Sequence, residues 1–465
     1  MQSKKNYNIP LLTDSYKQFH AKMEPVNTEY VYSYFESRDG AKFPYTMFFG
    51  LQALLKEYLV GVVVTKEDVD DAENMVTAHM GNHFNRARWD YIVEVHGGKL
   101  PVEIRAVPEG MKVPTSNVLM TVVNTDPQCA WLTNHLETLL THVWSASTVA
   151  TLSSSTKDMY KKYLNMTCDA GENFGGLPFM LHDFGMRGVS SMESAGFEGM
   201  GHLINFLGTD TIIAMEYAER LYGATRPVAF SVPASEHSIM TALGRSGEPE
   251  IVGNLLNTFP DGILSLVGDS YDIYNFAENI IGTKYHDGIM KRNGKVVVRP
   301  DSGDASEVSL KVINILWDKF GGTVNKLGFK VLDPHIGLIW GDGIDKDGIE
   351  AVLNTLMNAG YSVENMVFGQ GGGLLQKVNR DTQRFAFKSS AQCRSGVWHD
   401  IFKDPIDSSK KSKRGRLALV RKETGELHTL SYEQYGHQDI LVPVFRNGVL
   451  LKDYTFDEVR ANSLI

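Results

Sequence analysis

Between residues 179 and 373 one pattern recurs seven times: a short apolar or β-branched run, a polar turn rich in Gly and Asp, then a stretch of helical periodicity. Phe179-Met180-Leu181 runs into His182-Asp183-Phe184-Gly185, and Leu203-Ile204-Asn205-Phe206 leads to Gly208-Thr209-Asp210. Val228-Ala229-Phe230 leads to the turn Ser231 to His237, and Ile263 to Val267 leads to Gly268-Asp269-Ser270. Val296-Val297-Val298 precedes Arg299-Pro300-Asp301-Ser302-Gly303-Asp304; Ile336 to Trp340 precedes Gly341-Asp342-Gly343; Met366-Val367-Phe368 precedes Gly369-Gln370-Gly371-Gly372-Gly373. This is the rhythm of βα units, and it predicts an α/β fold, a parallel β/α barrel or a close relative. In every unit the chemically capable residues follow the strand, where barrels build their sites. At any single turn, Asp, Gly and Ser are better read as turn formers and helix N-caps. Seven such turns on one rim favour a site.

The rest of the chain reads differently. Residues 1–145 are mixed, with strand alternation in Tyr30-Val31-Tyr32-Ser33-Tyr34-Phe35 and Pro101 to Val107, and predict a flanking β-rich domain. The barrel is expected over 146–384. Residues 385–465 are expected to return to the flanking domain through a basic loop holding Lys403, Lys410, Lys411, Lys413, Arg414 and Arg416 before the strand-like Leu417 to Val420. With 43% hydrophobic and 22% charged residues the chain can bury a sizeable core. Its net charge of −9 disfavours nucleic acid and anionic membranes as partners, while a local basic patch can still hold a small anion. Cys129, Cys168 and Cys393 lie far apart, which suits a reducing compartment and excludes a disulfide framework or a thiolate zinc site. Thr13 and Asp14 cut the first apolar stretch, and no run approaches a membrane span of about 18 residues, so a soluble cytoplasmic protein is expected.

Absent signatures narrow the chemistry. There is no GxxxxGK[ST], no GxGxxG after a strand and no HExxH. Asp70-Asp71 sits in the helix-like run Lys66 to Val76, unlike the diphosphate-sugar loop of Rossmann-like phosphoribosyltransferases. Gly371-Gly372-Gly373, late in the barrel order, offers bare amides to a phosphate. Arg299, Asp301 and Ser302 put a guanidinium, a carboxylate and a hydroxyl on one turn, suited to a ribose phosphate and a hard cation. His237 beside Glu236 is a base, a metal ligand or a nucleophile toward phosphorus, or else structural. Phe184 and Arg187 at a strand mouth suit a planar ring better than a metal.

Taken together these residues resemble the nicotinamide phosphoribosyltransferase family of type II phosphoribosyltransferases. The likeness runs from Thr13-Asp14-Ser15-Tyr16-Lys17 through His182 to Ser191, Gly208 to Thr211, Ser231 to Ser238, Asp269 to Tyr274, Arg299 to Gly303 and Phe368 to Lys377, ending at Tyr454 to Glu458. It implies transfer of the phosphoribosyl group of 5-phosphoribosyl 1-diphosphate to nicotinamide in NAD salvage, with Mg2+, with ATP as co-substrate and in a homodimer whose sites lie at the subunit interface. By the same resemblance Phe184 and the partner's Tyr16 sandwich the pyridine, Asp210 accepts from the carboxamide, and Arg187 lies near the ring. Ser231 and Ser265 fall in the substrate pocket. Arg299 and Asp301 contact the phosphoribosyl group, Gly341 and Asp342 the ribose, and Gly371 and Gly372 the 5′-phosphate. Arg38, Arg380, Lys388 and Lys403, with Lys410 as a further basic contact, hold the diphosphate. His237 is phosphorylated from ATP, with Asp269 or Glu236 orienting its ring. Direct metal ligands are not implied.

The chain departs from the family pattern in three places. Gly337 stands where a relative has Arg and Ala386 replaces a Ser, so weaker phosphate anchoring and altered ATP coupling are expected with no loss of reaction type, while Trp340 in place of a Gln is expected to reshape the same wall. The competing readings are a nicotinate-using enzyme of the same fold, a noncatalytic binding or signalling protein on this scaffold, and a metal-dependent barrel hydrolase. The last lacks a tight His/Asp cluster.

Overall fold

The parallel rhythm becomes a ring. In a computed structural model describing residues 7–404 and 412–464, the chain divides into two compact units. One comprises Leu152–Glu216 and Thr225–Val378; the other comprises the chain up to Thr151, Tyr217–Ala224 and Asn379–Ile465. Tyr217–Ala224, inside the span expected for the barrel, therefore groups with the flanking unit.

The unit Leu152–Val378 is built on six strands in the order Gly208–Thr209, Leu181–Asp183, Met366–Gln370, Ile336–Trp340, Asn293–Arg299, Asp261–Val267. Every neighbouring pair is parallel. The two edges are joined through one further segment: Phe230 bridges Gly208, and Ala234 bridges Ser265, both in parallel. Thr209 N–H donates to the Phe230 carbonyl (3.0 Å), and Ser265 N–H donates to the Pro233 carbonyl (2.9 Å). Pro233 has no N–H to give, so this member of the ring stays a pair of bridges instead of a full strand.

Three expected strands are shifted: Phe179 belongs to the helical turn Leu177–Phe179, so the first strand is Leu181–Asp183 and takes in His182 and Asp183. Leu203 closes the helix Met192–Leu203, and Ile204-Asn205-Phe206 is a turn in which Asn205 and Phe206 donate to the His202 carbonyl. The strand follows at Gly208–Thr209. The run Leu203 to Phe206 is buried, and a short buried apolar run has no period that separates strand from helix end. Val228-Ala229-Phe230 shrinks to its bridge at Phe230.

The strand residues that pack with the surrounding helices form the core: Leu264, Leu266, Val296, Val298, Leu338 and Phe368 are at most 1% exposed and cluster with Val312, Leu316 and Val352. Each contributes about 1.5–3 kcal/mol of burial. Several turn residues do the ordinary structural work foreseen for them. Ser191, Asp304 and Asp345 cap the helices Met192–Leu203, Ala305–Phe320 and Lys346–Asn358 through N–H groups of Ser194, Glu307 and Gly348. Asp301 and Asp342 cap nothing in this way and remain available on the rim.

The other unit carries a seven-stranded sheet in the order Val397–Asp400, Phe385–Arg394, Thr28–Ser37, Val118–Asn124, Val102–Ala106, Val442–Arg446, Val449–Leu450. All pairs are antiparallel. Thr28–Ser37 and Phe385–Arg394 pair centrally, with Phe35 stacked on Phe385 at 5.0 Å, so the tail is an integral strand of the N-terminal sheet. The strand-like Leu417 to Val420 forms a separate hairpin, Leu417–Arg421 with Leu427–Ser431. The cysteines are free and buried. Among the described residues no helix is long and apolar enough to cross a membrane.

Candidate active site

Phe184 follows the strand Leu181–Asp183 directly. Its N–H donates to the Gln370 carbonyl (3.0 Å), and Asp183 Oδ1 accepts from Gly185 N–H (2.7 Å), which turns the chain sharply at the strand mouth. The ring lies on bare backbone. A Cβ at Gly369 would sit 1.9 Å from Phe184 Cε2, and one at Gly341 would sit 3.5 Å from the same atom. Only glycine at 369 leaves room for the aromatic face. The Arg299 guanidinium lies 5.9 Å from the centre of that ring.

Asp210 follows the short strand Gly208–Thr209. Its N–H donates to the Asp183 carbonyl (2.9 Å), and its Oδ1 accepts from Ser231 Oγ. A cavity of about 480 Å³ is lined by Phe184, Asp210, Ser231, Ser265 and Arg299, and continues past Phe179, Phe230, Val297 and Ile339 to Lys295 and Glu364. The walls are mainly apolar with few polar groups, as a flat heteroaromatic requires. A second cavity of about 780 Å³ is lined by Arg187, Asp301, Gly341, Asp342, Gly371 and Gly372, and shares Phe184, Asp210 and Arg299 with the first. An apolar slot thus opens into a polar bowl. Arg299 is held by Asp301 (Nε to Oδ1 3.1 Å), and Trp340 Nε1 donates to the Asp342 carbonyl (2.7 Å), fixing the Gly341-Asp342-Gly343 turn.

His237, Glu236 and Asp269 line neither of these two cavities. They form their own string. His237 Nε2 lies 2.9 Å from Asp269 Oδ1, and Ser302 Oγ donates to Asp269 Oδ2. Glu236 instead accepts from Ser238 Oγ, so of the two carboxylates weighed for the histidine it is Asp269 that meets the ring. Ser302 adjoins Asp301, which ties this string to the bowl.

In the other unit the cations gather around Lys388. Burial lowers its pKa first, and Arg38, Lys403 and Lys17 lower it further against the opposing Glu137. Arg38 Nε, 3.6 Å from Glu36 Oε1, and Arg38 Nη2 are buried without a hydrogen-bond partner. Such a knot of positive charge is unfavourable unless an anion joins it. Arg380 stands apart, 57% exposed and paired with Asp381 (3.3 Å). Tyr16 is 56% exposed beside His20, with ring centres 5.1 Å apart. Lys410 lies outside the described residues.

Sequence reasoning missed four groups. Asp183 and Glu198 are buried carboxyls next to the strand mouth. Lys295 and Glu364 line the deep end of the slot. A Cβ at Gly337 would lie 3.2 Å from Lys295 Cδ, so the space beside the absent Arg holds a lysine from the adjacent strand. Burial lowers that lysine's pKa against the opposing charge of Glu364. The only signal was a charged residue within otherwise apolar or glycine-rich runs.

For a hard cation the fitting donors are the Asp301 and Asp342 carboxylates on the bowl. The one group of three ligand-type side chains found among the described residues is His96, Asp126 and Cys129, in the other unit. It is a poor match, because burial pushes the Cys129 thiol up to about 12 and Asp126 already accepts from Tyr91 and the Gln128 N–H.

Residues 179–448 match the nicotinate phosphoribosyltransferase (NAPRTase) family, and residues 8–104 match the nicotinamide phosphoribosyltransferase N-terminal domain. The chain is 46% identical to a nicotinamide phosphoribosyltransferase of Xanthomonas campestris, covering 98% of each. It is 34% identical to one from Acinetobacter baylyi, over 96% of this chain and 95% of that one. Among solved structures it shares its fold with a nicotinate-nucleotide pyrophosphorylase from Pyrococcus furiosus (TM-score 0.61, 14% identity, 100% and 97% of the two chains). The human nicotinic acid phosphoribosyltransferase is similar in the same sense (TM-score 0.58, 16% identity, 98% and 93%).

Proposed function

The chain belongs to the nicotinate phosphoribosyltransferase (NAPRTase) family, among its nicotinamide phosphoribosyltransferases, and from that membership we propose a reaction for this site. It joins nicotinamide to the phosphoribosyl group of 5-phosphoribosyl 1-diphosphate, giving nicotinamide mononucleotide and diphosphate in NAD salvage. The observation that carries the reading is Asp210 at the edge of an apolar slot faced by Phe184.

The pyridine nitrogen attacks C1 of the ribose as the C1–O bond to diphosphate breaks. The ring gains positive charge as the new bond forms, and the faces of Phe184 stabilise it. Asp210, buttressed by Ser231, accepts from the carboxamide NH2 and repels the carboxylate of nicotinate. Arg187 donates to the amide oxygen, and Ser265 lines the slot. Arg299, Asp301 and Asp342 hold the sugar, with Gly341 leaving room for it, while Gly371 and Gly372 receive the 5′-phosphate. Asp301 and Asp342 would hold Mg2+, which supplies neutralisation of the departing diphosphate's charge.

Arg38, Arg380, Lys388 and Lys403 meet the diphosphate from a second copy of the chain, together with Tyr16 on the other pyridine face. A homodimer with shared sites accounts for the unsatisfied Arg38 donors and the exposed Tyr16. His237 takes the γ-phosphoryl group of ATP: the P–N bond forms as the P–O bond to ADP breaks, and Asp269 steadies the ring. The test is product formation from nicotinamide and from nicotinate supplied separately with the phosphoribosyl donor. Nicotinamide is expected to be strongly preferred; preference for nicotinate overturns the role of Asp210.

A further inference from the structure

Glu198 lies on the helix Met192–Leu203, in the glycine-rich stretch Phe197-Glu198-Gly199-Met200-Gly201, and is 7% exposed. Its Oε2 has no hydrogen-bond partner. Asp183, fully buried on the neighbouring strand, likewise leaves Oδ2 without a partner. The Thr211 hydroxyl, also buried, lies against Asp183 and favours its charged form. Asp183 and Thr211 meet beside the next position of that helix, and Glu198 is near enough for its charge and that of Asp183 to repel. A Cβ on Gly199, the residue after Glu198, would lie 3.4 Å from both Asp183 Oδ2 and Thr211 Cγ2. Two carboxylates cannot both be ionised in such a place without a cation, so one of them keeps a proton.

Asp183 is the hub of the slot. Its Oδ1 holds the Gly185 N–H, its carbonyl holds the Asp210 N–H, and Phe184 is the next residue in the chain. We propose that Glu198 is a positioning residue for the pyridine slot: a buried, protonated carboxyl that spares the Asp183 carboxylate a neighbouring negative charge and so keeps Phe184 and Asp210 in place. The inference rests on the reading of that slot given above.

The electrostatics agree with the geometry. Burial first, then Asp183, pushes Glu198 up to about 8, while burial and the nearby Asp210 push Asp183 only to about 6. At neutral pH the proton therefore resides on Glu198. The other charged or titratable groups around this spot do not supply it. Arg187 stands in the turn Met186–Gly188 that packs on the same helix, on the cavity side. His202, on the same helix, is held neutral with its nitrogens on Ser153 and the Gly208 carbonyl; burial, His182 and Lys157 all lower its pKa.

Ionising Glu198 sets two negative charges side by side beneath the slot. The expected result is that KM for nicotinamide rises about tenfold between pH 7 and pH 9, with kcat much less affected. Glu198→Gln keeps the shape and a neutral donor and is expected to flatten that rise while leaving KM at pH 7 within about twofold of wild type. Urea unfolding across the same range gives a readout that needs no substrate. A carboxyl with a raised folded pKa stabilises below its unfolded value, and that stability is lost as pH climbs through about 8. Wild type should lose stability over pH 7 to 9 relative to Glu198→Gln. Parallel stability curves for the two proteins overturn the buried proton, whatever substrate the enzyme uses. Diverging stability with identical KM profiles overturns the positioning role. Failure of the nicotinamide reading is distinct: no product at any pH in either protein.

Discussion

His237 Nε2 and Asp269 Oδ1 are 2.9 Å apart, and Ser302 Oγ occupies the other oxygen of the same carboxylate. With Nε2–H directed at Asp269, the opposite nitrogen carries the free lone pair, and the ring is braced through Ser302 to the Arg299–Asp304 turn that lines the bowl. His237→Ala is expected to abolish ATP hydrolysis while retaining part of the ATP-independent synthesis. Asp269→Asn should slow phosphorylation by about tenfold or more, since a mispositioned or differently protonated imidazole is a poorer nucleophile. Measuring ADP release and mononucleotide formation in the same assay separates the two effects. Undiminished ADP release by His237→Ala removes the residue from the role.

Gly369 offers a sharper geometric test. Its missing side chain is the floor under Phe184, where a Cβ would approach the ring to 1.9 Å. Gly369→Ala must tilt or expel the ring, at a cost of about 1–3 kcal/mol in packing. Because that cost falls on the pyridine slot, KM for nicotinamide should rise about tenfold while KM for the phosphoribosyl donor changes little. Gly288→Ala, on the helix His286–Met290 and away from both cavities, is a control, with no atom within 4 Å of the added carbon. Equal effects from both substitutions would show that the ring is not seated on Gly369.

The parts that sequence reveals and those it hides divide along physical lines. Strand rhythm and turn chemistry are local, so the parallel ring, the residues on its rim and the β-rich character of the flanking unit were legible, whereas the antiparallel pairing of that sheet was not. Phe184, Asp210, Arg299, Asp301 and Asp342 were placed on that rim because each follows a strand. Leu203 to Phe206 misled because a helix's buried end and a buried strand have the same composition. The choice between Glu236 and Asp269 needed side-chain direction, which adjacency in sequence does not supply: Glu236 neighbours His237 in the chain yet faces Ser238. Lys295 filling the space at Gly337 depends on register between two strands brought together by a crossover. Glu198 was hidden for a related reason, since a lone acidic residue on a helix is ordinarily solvated.

On the proposed reading, substrate choice turns on one carboxylate. Asp210 is held on either side, its N–H donating to the Asp183 carbonyl (2.9 Å) and its Oδ1 accepting from Ser231 Oγ (2.5 Å), so it is fixed before substrate arrives. Asp210→Asn removes the charge and keeps the shape. Activity with nicotinamide should fall about tenfold as the charge-assisted hydrogen bond weakens, while activity with nicotinate rises from a low background. The ratio of kcat/KM values for the two substrates measures the change. An unaltered ratio would mean that discrimination resides elsewhere in the slot.

Acid should unfold the barrel partly through His202. The imidazole is fully buried; its Nε2 donates to the Gly208 carbonyl (3.2 Å), which leaves Nδ1 to accept from Ser153 Oγ (2.8 Å). This arrangement fits only the neutral ring, and burial lowers its pKa to about 3. A histidine with a lowered folded pKa stabilises fully above its unfolded value of about 6.5, and that stability is lost as pH falls from there toward the folded value. The loss for one such group is about 1.4 kcal/mol per pH unit. His202→Gln keeps a donor and an acceptor but cannot titrate. Between pH 6.5 and pH 4 its urea midpoint should fall less steeply than that of wild type, with the remaining slope owed to other buried groups such as His135, held near 4 by burial in the other unit. Identical slopes in the two proteins would place the acid sensitivity outside the strand that His202 supports.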